Sequence, residues 1–239
     1  MHANLSISML EPGDILLCKG NTQGKTLGAK ASFAIEETTG SPYTHAAIYL
    51  ADQKILDARP IKGIQIRALE DLVTNYDYVA VIRQPEAWSH NRITMLHDFA
   101  NELDKNRQGY NYKAFKDYLL INASKKRLKW TQYKEDHQAN LTQKIEGYFS
   151  GQAQETEADP IRSYFCSELV AFIFRYVGII GDGVHLIYDA QYLAPGDLVA
   201  DNTFGFRVGY IATDASYKIP FDDPVIDWSH VSEIPPLPS

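Results

Sequence analysis

Alternating apolar and polar residues predict an antiparallel sheet whose strands are short and closely connected. Residues 44–69 hold three such runs separated by tight connections, which is typical of paired hairpins. A turn at Pro12-Gly13-Asp14 precedes an earlier apolar run. The predicted strands are Ile15–Cys18, Thr44–Leu50, Lys54–Arg59, Gly63–Leu69, Tyr78–Arg83 and Phe204–Ile211.

Between these strands, apolar residues recur at helical spacing and predict helices. The last predicted helix begins at Cys166 and carries the apolar run Leu169–Phe174, so we expect it to enter a core. Earlier helices are predicted at Thr26–Glu37, Glu70–Asn75, Trp88–Asp104 and Tyr112–Leu120. Together the elements predict an α+β fold in which an antiparallel sheet packs against the Cys166 helix.

The pattern is interrupted at about 124–160, where a basic cluster is followed by a Gln- and Glu-rich stretch. Charge runs of this kind generally face water, which favours a solvated surface segment over a lid. A Pro-rich tail occupies about 220–239. The length of 239 residues and a hydrophobic content of 45% predict a single domain over residues 1–239, with this charged insertion and tail.

Composition narrows the function classes. A net charge of −7 disfavours a nucleic-acid binder, which normally has a basic excess. Two cysteines, Cys18 and Cys166, do not make a disulfide framework. The first ten residues lack a secretory signal pattern, and no apolar stretch approaches the ~20 residues of a membrane span. We expect a soluble chain that is cytoplasmic or exported without a cleaved signal.

Cys166 and His45 carry the candidate chemistry. Free N–H groups and aligned peptide dipoles at the start of the predicted helix favour a thiolate at Cys166. His45 lies at the head of a predicted strand. A thiol ready to ionise and an imidazole that can move its proton are the minimum for cysteine nucleophilic catalysis. Backbone N–H groups at the helix start and the Tyr164 hydroxyl are candidate donors to an oxyanion or to substrate.

Asp57 is the candidate third member of a triad with Cys166 and His45, and its position depends on how the strands pair. If residues 51–53 form the connection and Leu50 pairs with Lys54, His45 faces Arg59 and Asp57 is its diagonal neighbour on the same face. A connection of two or four residues would turn Asp57 to the other face, because side chains alternate along a strand. Asp57 would then hold one ring nitrogen of His45 while the other serves the thiol.

Each of these residues also has a structural interpretation. A cysteine on an apolar helix generally packs in a core, and a single histidine is generally a satisfied polar group. Asp57 is equally suited to capping a turn or to pairing with Arg59. Cys18 ends an apolar strand with no histidine near it in sequence, so we predict that it belongs to the core.

Five blocks of sequence resemble a known family. They are Pro12–Leu16, Ser41–His45 with Ile48-Tyr49, Asp57-Ala58, Tyr164–Leu169 and Ala194–Leu198. These blocks are similar to those of the YiiX/YebB-like cysteine hydrolases, the circularly permuted branch of the NlpC-type papain-like superfamily, and the lecithin:retinol acyltransferase group is similar. In permuted members the His strand precedes the Cys helix, as it does here. The third position is often Glu in this branch, whereas this chain has Asp57.

The resemblance implies a circularly permuted papain-like fold, with Cys166 as nucleophile, His45 as base and no cofactor. The predicted reaction is hydrolysis of an amide bond in a small peptide or cell-wall (peptidoglycan) fragment through a thioester. Two alternatives stay open: a lipid acyl hydrolase or acyltransferase on the same triad, and a catalytically silent binding module. An exported antibacterial effector would add an immunity protein as partner.

Two other classes have weak signals. The segment Gly20–Thr26 follows a strand and opens a helix, but it has three residues between its glycines where a nucleotide-binding loop has four. A P-loop NTPase is therefore disfavoured, and the segment is expected near the cleft. The seven histidines are scattered and no His-Glu-x-x-His or Cys-x-x-Cys occurs, so no metal site is predicted.

Overall fold

A computed structural model of the protein describes residues 4–22, 26–117, 119–120, 164–181, 193–212 and 223. The predicted insertion at 124–160 lies outside the described residues, as does the predicted tail at 220–239 apart from Asp223.

The six strands form a single antiparallel sheet in the order β4-β3-β2-β1-β5-β6. Their bounds are β1 Ile15–Lys19, β2 Tyr43–Ala51, β3 Lys54–Arg59, β4 Gly63–Ala68, β5 Tyr78–Arg83 and β6 Phe206–Ile211. The predicted strands are confirmed to within two residues at each end. β6 starts later than predicted because Asn202–Phe204 forms a 3-10 turn, capped by the Asp201 side chain.

The helices lie at α1 Leu27–Thr39, α2 Leu69–Val73, α3 His90–Lys105 and α4 Cys166–Tyr176, with a short helix at Asp197–Ala200 and helical backbone at 112–117 and 119–120. α1 begins where its sequence predicts, because the Thr26 hydroxyl accepts a hydrogen bond from the Ala29 N–H. It ends at Gly40, which adopts the left-handed conformation common after helices. With the sheet, these elements confirm an α+β fold.

The β2–β3 hairpin fixes which residues share a face. Ala47 pairs with Asp57 and Tyr49 with Ile55, which is the register expected from sequence. The turn itself differs, because Ala51, not Leu50, pairs with Lys54. Leu50 is the extra residue of a β-bulge beside a two-residue turn, and the bulge keeps Asp57 on the predicted face.

Buried apolar residues form two clusters, which take alternate residues of the strands. The larger contains Ile15, Leu17, Ile48 and Leu56 and joins them to α3 and α4. The smaller contains Leu16, Cys18, Ala47 and Ile55, together with Leu69, Leu72 and Val73 of α2. Both faces of the sheet are therefore covered. No helix in the described ranges is long and apolar enough to cross a bilayer.

Candidate active site

His45, Asp57 and Cys166 meet where β2 begins, β3 ends and α4 starts. His45 is the third residue of β2, and Cys166 is the first residue of α4. The imidazole Nε2 lies 2.6 Å from Asp57 Oδ1. Cys166 lines the same cavity as His45 and lies close enough for its thiol to help raise the pKa of this ring. Since Asp57 occupies Nε2, Nδ1 is the nitrogen left for the thiol.

The Asp57 carboxylate is buried and binds three cationic side chains. Its Oδ1 accepts from His45, and its Oδ2 accepts from Arg67 Nη1 at 2.5 Å. Arg59 Nε lies 3.3 Å from the same Oδ2. Burial raises the pKa of this carboxyl, but the charges of His45, Arg67 and Arg59 outweigh burial and hold the pKa below its ordinary value. Asp57 is therefore a carboxylate at neutral pH.

This carboxylate controls the protonation of His45. Burial of the imidazole lowers its pKa, but the charge of Asp57, the hydrogen bond to Asp57 and the contact with Cys166 together raise the pKa of His45 to about 10. The ring is thus an imidazolium at neutral pH. It is positioned to stabilise a thiolate and to supply a proton to a leaving group.

The start of α4 is held by contacts on both sides of Cys166. The Phe165 N–H donates to Glu168 Oε2 at 3.0 Å, which closes the first helical turn. The Ser167 hydroxyl donates to the Leu193 carbonyl at 2.6 Å. The N–H groups of Cys166 and Ser167 begin the helix and have no acceptor within it. They form the kind of donor pair that stabilises an oxyanion.

Two site residues were not predicted from sequence. Tyr76 stacks on the His45 ring with centroids 5.6 Å apart and an interplanar angle of 1°, so it covers one face of the imidazole. Tyr76 lies in an irregular connection, which has no periodicity to indicate it. Arg67 had a detectable signal, because Asp57 pairs with Gln65 and the residue two further along β4 is a diagonal neighbour of Asp57.

A cavity of about 570 Å³ opens over His45 and Cys166. One wall comes from the segment before α1 and from α1 itself, including Gly20 and Ser32. A side chain at Gly20 would collide with Ser32 Oγ and Thr44 Oγ1, so glycine permits the close approach of that wall. The Gly20–Thr26 segment therefore borders the cleft as expected, although residues 23–25 are outside the described part.

Cys18 is the Cα partner of His45 on the neighbouring strand, but it does not line the cavity. It is fully buried in the smaller cluster, as predicted. Burial, together with the charges of Asp57 and Cys166, raises the pKa of the Cys18 thiol well above its ordinary value. The chain thus holds two thiols near one histidine, of which only Cys166 borders the cavity.

Tyr164 lies away from the cavity in the described part of the chain. Its ring is buried in the larger cluster and contacts Phe172, with centroids 4.7 Å apart. The described lining of the cavity does not include it. The backbone N–H groups at the start of α4 are therefore the better candidates for oxyanion donors.

No group of three His, Cys, Asp or Glu side chains in the described ranges is arranged to hold a metal ion. Neither a protein-family model nor a curated protein matches this sequence.

Proposed function

We propose that the protein is a cysteine hydrolase that cleaves a peptide-type amide bond. The observation that carries the proposal is the position of His45 between the Asp57 carboxylate at 2.6 Å and the Cys166 thiol, beneath an open cavity. The chain order, with the His45 strand before the Cys166 helix, agrees with the order of the permuted papain-like branch that the sequence resembles.

In this reaction the Cys166 thiolate attacks the carbonyl carbon of the substrate, and N–H groups at the start of α4 bind the resulting oxyanion. The His45 imidazolium gives its proton to the amine as the C–N bond breaks, which leaves a thioester on Cys166. Neutral His45 then takes a proton from water, whose oxygen attacks the thioester. The acid departs, and the thiolate and imidazolium are restored.

The test compares alkylation of the two thiols by iodoacetamide, with the modified cysteine located by mass spectrometry. We expect Cys166 to react at about pH 6, where an ordinary thiol is almost wholly protonated, while Cys18 stays unmodified. The substitution His45→Gln should slow alkylation of Cys166 by at least about tenfold. His90→Gln, which changes an exposed histidine at the start of α3, is the matched control and should leave the rate unchanged.

Substrate classes are separated by trapping the acyl group on Cys166. Peptide amides should leave a thioester of the expected mass on Cys166, and lipid esters should not. A thioester formed only from lipid esters would favour the acyl hydrolase or acyltransferase alternative. A Cys166 that reacts no faster than Cys18, whatever residue 45 is, would overturn the proposal in favour of a binding module.

A further inference from the structure

The described lining of the cavity is positively charged although the protein is acidic. The chain has a net charge of −7. The described lining contains the cationic side chains of His45, Arg59 and Lys62, and it contains no carboxylate. The Asp57 side chain is fully buried behind His45 and does not line the cavity. A cavity whose charge opposes that of the whole protein indicates what it binds.

Arg59 is not needed to neutralise Asp57. His45 and Arg67 already occupy the two carboxylate oxygens at 2.6 and 2.5 Å. Arg59 lies farther away, at 3.3 Å, and its Nε makes no hydrogen bond in the described part of the chain. Its side chain is 26% exposed and borders the cavity. One carboxylate thus faces three cations, and Arg59 is the cation best placed to bind a second anion.

Lys62 lies on a segment whose backbone is held by hydrogen bonds to the chain at residues 108–112. The Ile61 N–H donates to the Tyr112 hydroxyl, and the Ile64 N–H donates to the Gln108 carbonyl. At Gly63, a side chain would collide with that carbonyl, so the two segments pack closely. These contacts fix the backbone on both sides of Lys62, which is one of the residues that line the cavity.

We propose that the cavity selects acyl substrates that carry a carboxylate beside the bond to be cleaved, and that Arg59 and Lys62 bind this carboxylate. The inference rests on the proposed hydrolase function and adds the substrate class to it. Arg59 supplies a planar, permanently charged group to the cavity that His45 and Cys166 also line, and Lys62 supplies a second positive charge on a flexible side chain.

Two alkylating reagents test this without a known substrate. Iodoacetate and iodoacetamide differ only in carrying a carboxylate or an amide. At low salt, the ratio of their rates at Cys166 should exceed the ratio at N-acetylcysteinamide by about threefold or more. Lys62→Gln should lower the ratio about twofold and Lys62→Glu further, and added salt should weaken the preference. Lys30→Gln, an exposed lysine of α1 outside the cavity lining, should leave the ratio unchanged.

Arg59 is tested with a charge-preserving partner because it also contacts Asp57. Arg59→Gln should lower the iodoacetate preference and Arg59→Lys should retain most of it. If the iodoacetate preference is unchanged in the Arg59 and Lys62 variants, it comes from the His45 imidazolium alone. That result would overturn the inference. In that case rapid reaction with iodoacetamide would still support the hydrolase. A Cys166 inert to both reagents would overturn both proposals.

A last measurement identifies the anion. Glutarate should protect Cys166 from iodoacetamide, and the protection should be lost in Lys62→Glu. Protection by inorganic phosphate but not by glutarate would overturn the carboxylate assignment.

Discussion

At the scale of single residues, Asp57 determines how the site is charged. Without this carboxylate, burial would lower the His45 pKa and only the contact with Cys166 would oppose burial. Asp57 remains ionised because the charge and hydrogen bond of His45 and the charge of Arg67 stabilise its negative charge, to which Arg59 adds a smaller contribution. Arg67 is therefore a positioning residue, which would influence the proposed reaction through Asp57.

We expect Asp57→Asn to lower the pKa of His45 well below about 10, because the Asp57 charge is lost and only Cys166 then opposes the effect of burial. Hydrolysis should fall by about 10²- to 10⁴-fold. The free energy of unfolding should fall by about 3 kcal/mol, since Arg67 keeps a buried charge without its partner. NMR titration of the histidine rings measures the pKa, with His45→Gln identifying the signal.

The matched control for this change is Asp71→Asn. Asp71 is 61% exposed and lies 3.5 Å from the other side of Arg67. Its loss should leave the His45 titration in place. An unchanged titration in Asp57→Asn would contradict the role given to Asp57.

At the scale of elements, the turn at residues 193–197 connects the beginnings of β2 and α4. The hydroxyl of Ser167, the residue after Cys166, donates to the Leu193 carbonyl. Gly196 packs against Ser41, whose hydroxyl accepts from the Tyr43 N–H two residues before His45. The turn thus contacts the chain on the way into both reacting residues. Its own shape is held by Asp197, whose carboxylate accepts from the Ala194 N–H at 2.7 Å.

We expect Gly196→Ala to slow the reaction more than it destabilises the protein. The new Cβ would lie 2.3 Å from Ser41 Oγ and 2.4 Å from Ser41 Cβ, so Ser41 or the turn itself must shift, and we expect the start of β2 to follow Ser41. Overpacking of this kind costs about 1–3 kcal/mol of stability. A displacement near 1 Å at the reacting groups lowers the rate about 100-fold. Rates of Cys166 alkylation and urea unfolding measure the two effects separately.

Gly181→Ala provides the control, because a Cβ there meets nothing within 4 Å. Adding Ser41→Gly to Gly196→Ala removes the clash and should recover part of the rate. A double variant as slow as Gly196→Ala would show that the turn does not act through β2.

The same element scale shows what sequence alone could establish. Strand and helix positions followed from apolar periodicity, whereas the hairpin register followed only from assuming a three-residue connection at residues 51–53. The bulge at Leu50 did not follow, because its signal is a local turn geometry in which Asp52 and Gln53 both have positive φ. The stack of Tyr76 on His45 was also beyond reach, since it depends on how an irregular connection folds back.

At the scale of the whole molecule, a buried carboxylate ties distant parts of the chain together. Asp223 accepts hydrogen bonds from the hydroxyls of Tyr43 in β2, Tyr78 in β5 and Tyr210 in β6. The separations along the chain range from 13 to 180 residues, so no local pattern could predict the cluster. Burial raises the pKa of Tyr43 and of Tyr210, and the charge of Asp223 raises both further.

The raised pKa values of His45, Tyr43 and Tyr210 predict that the protein loses stability as the pH rises. The folded pKa of His45 is above its unfolded value, so its contribution is complete below about pH 6.5 and is lost as the pH rises through about 10. The tyrosines contribute fully up to about pH 10, where unfolded tyrosine begins to ionise, and their contribution falls above it. Each proton involved gives a slope of up to about 1.4 kcal/mol per pH unit.

Urea unfolding at pH 7, 9 and 11 separates the two contributions. His45→Gln should flatten the fall between pH 7 and 9, and Tyr43→Phe should reduce the fall above pH 10. Tyr176→Phe, which changes an exposed tyrosine, is the control. A free energy of unfolding that stays level from pH 7 to 11 would contradict both assignments.

The bulge at Leu50 also determines which length changes the hairpin between His45 and Asp57 can accept. A regular hairpin with the same two-residue turn would place Asp57 on the opposite face. The turn and the bulge are therefore both needed to keep Asp57 beside His45. Pairs of residues can be gained or lost at this tip without separating the acid from the base. Loss of a single residue turns each side chain of β3 to the opposite face of the sheet. Asp57 then leaves the site, although every strand still forms. An odd change in hairpin length would therefore separate Asp57 from His45 while the fold is retained.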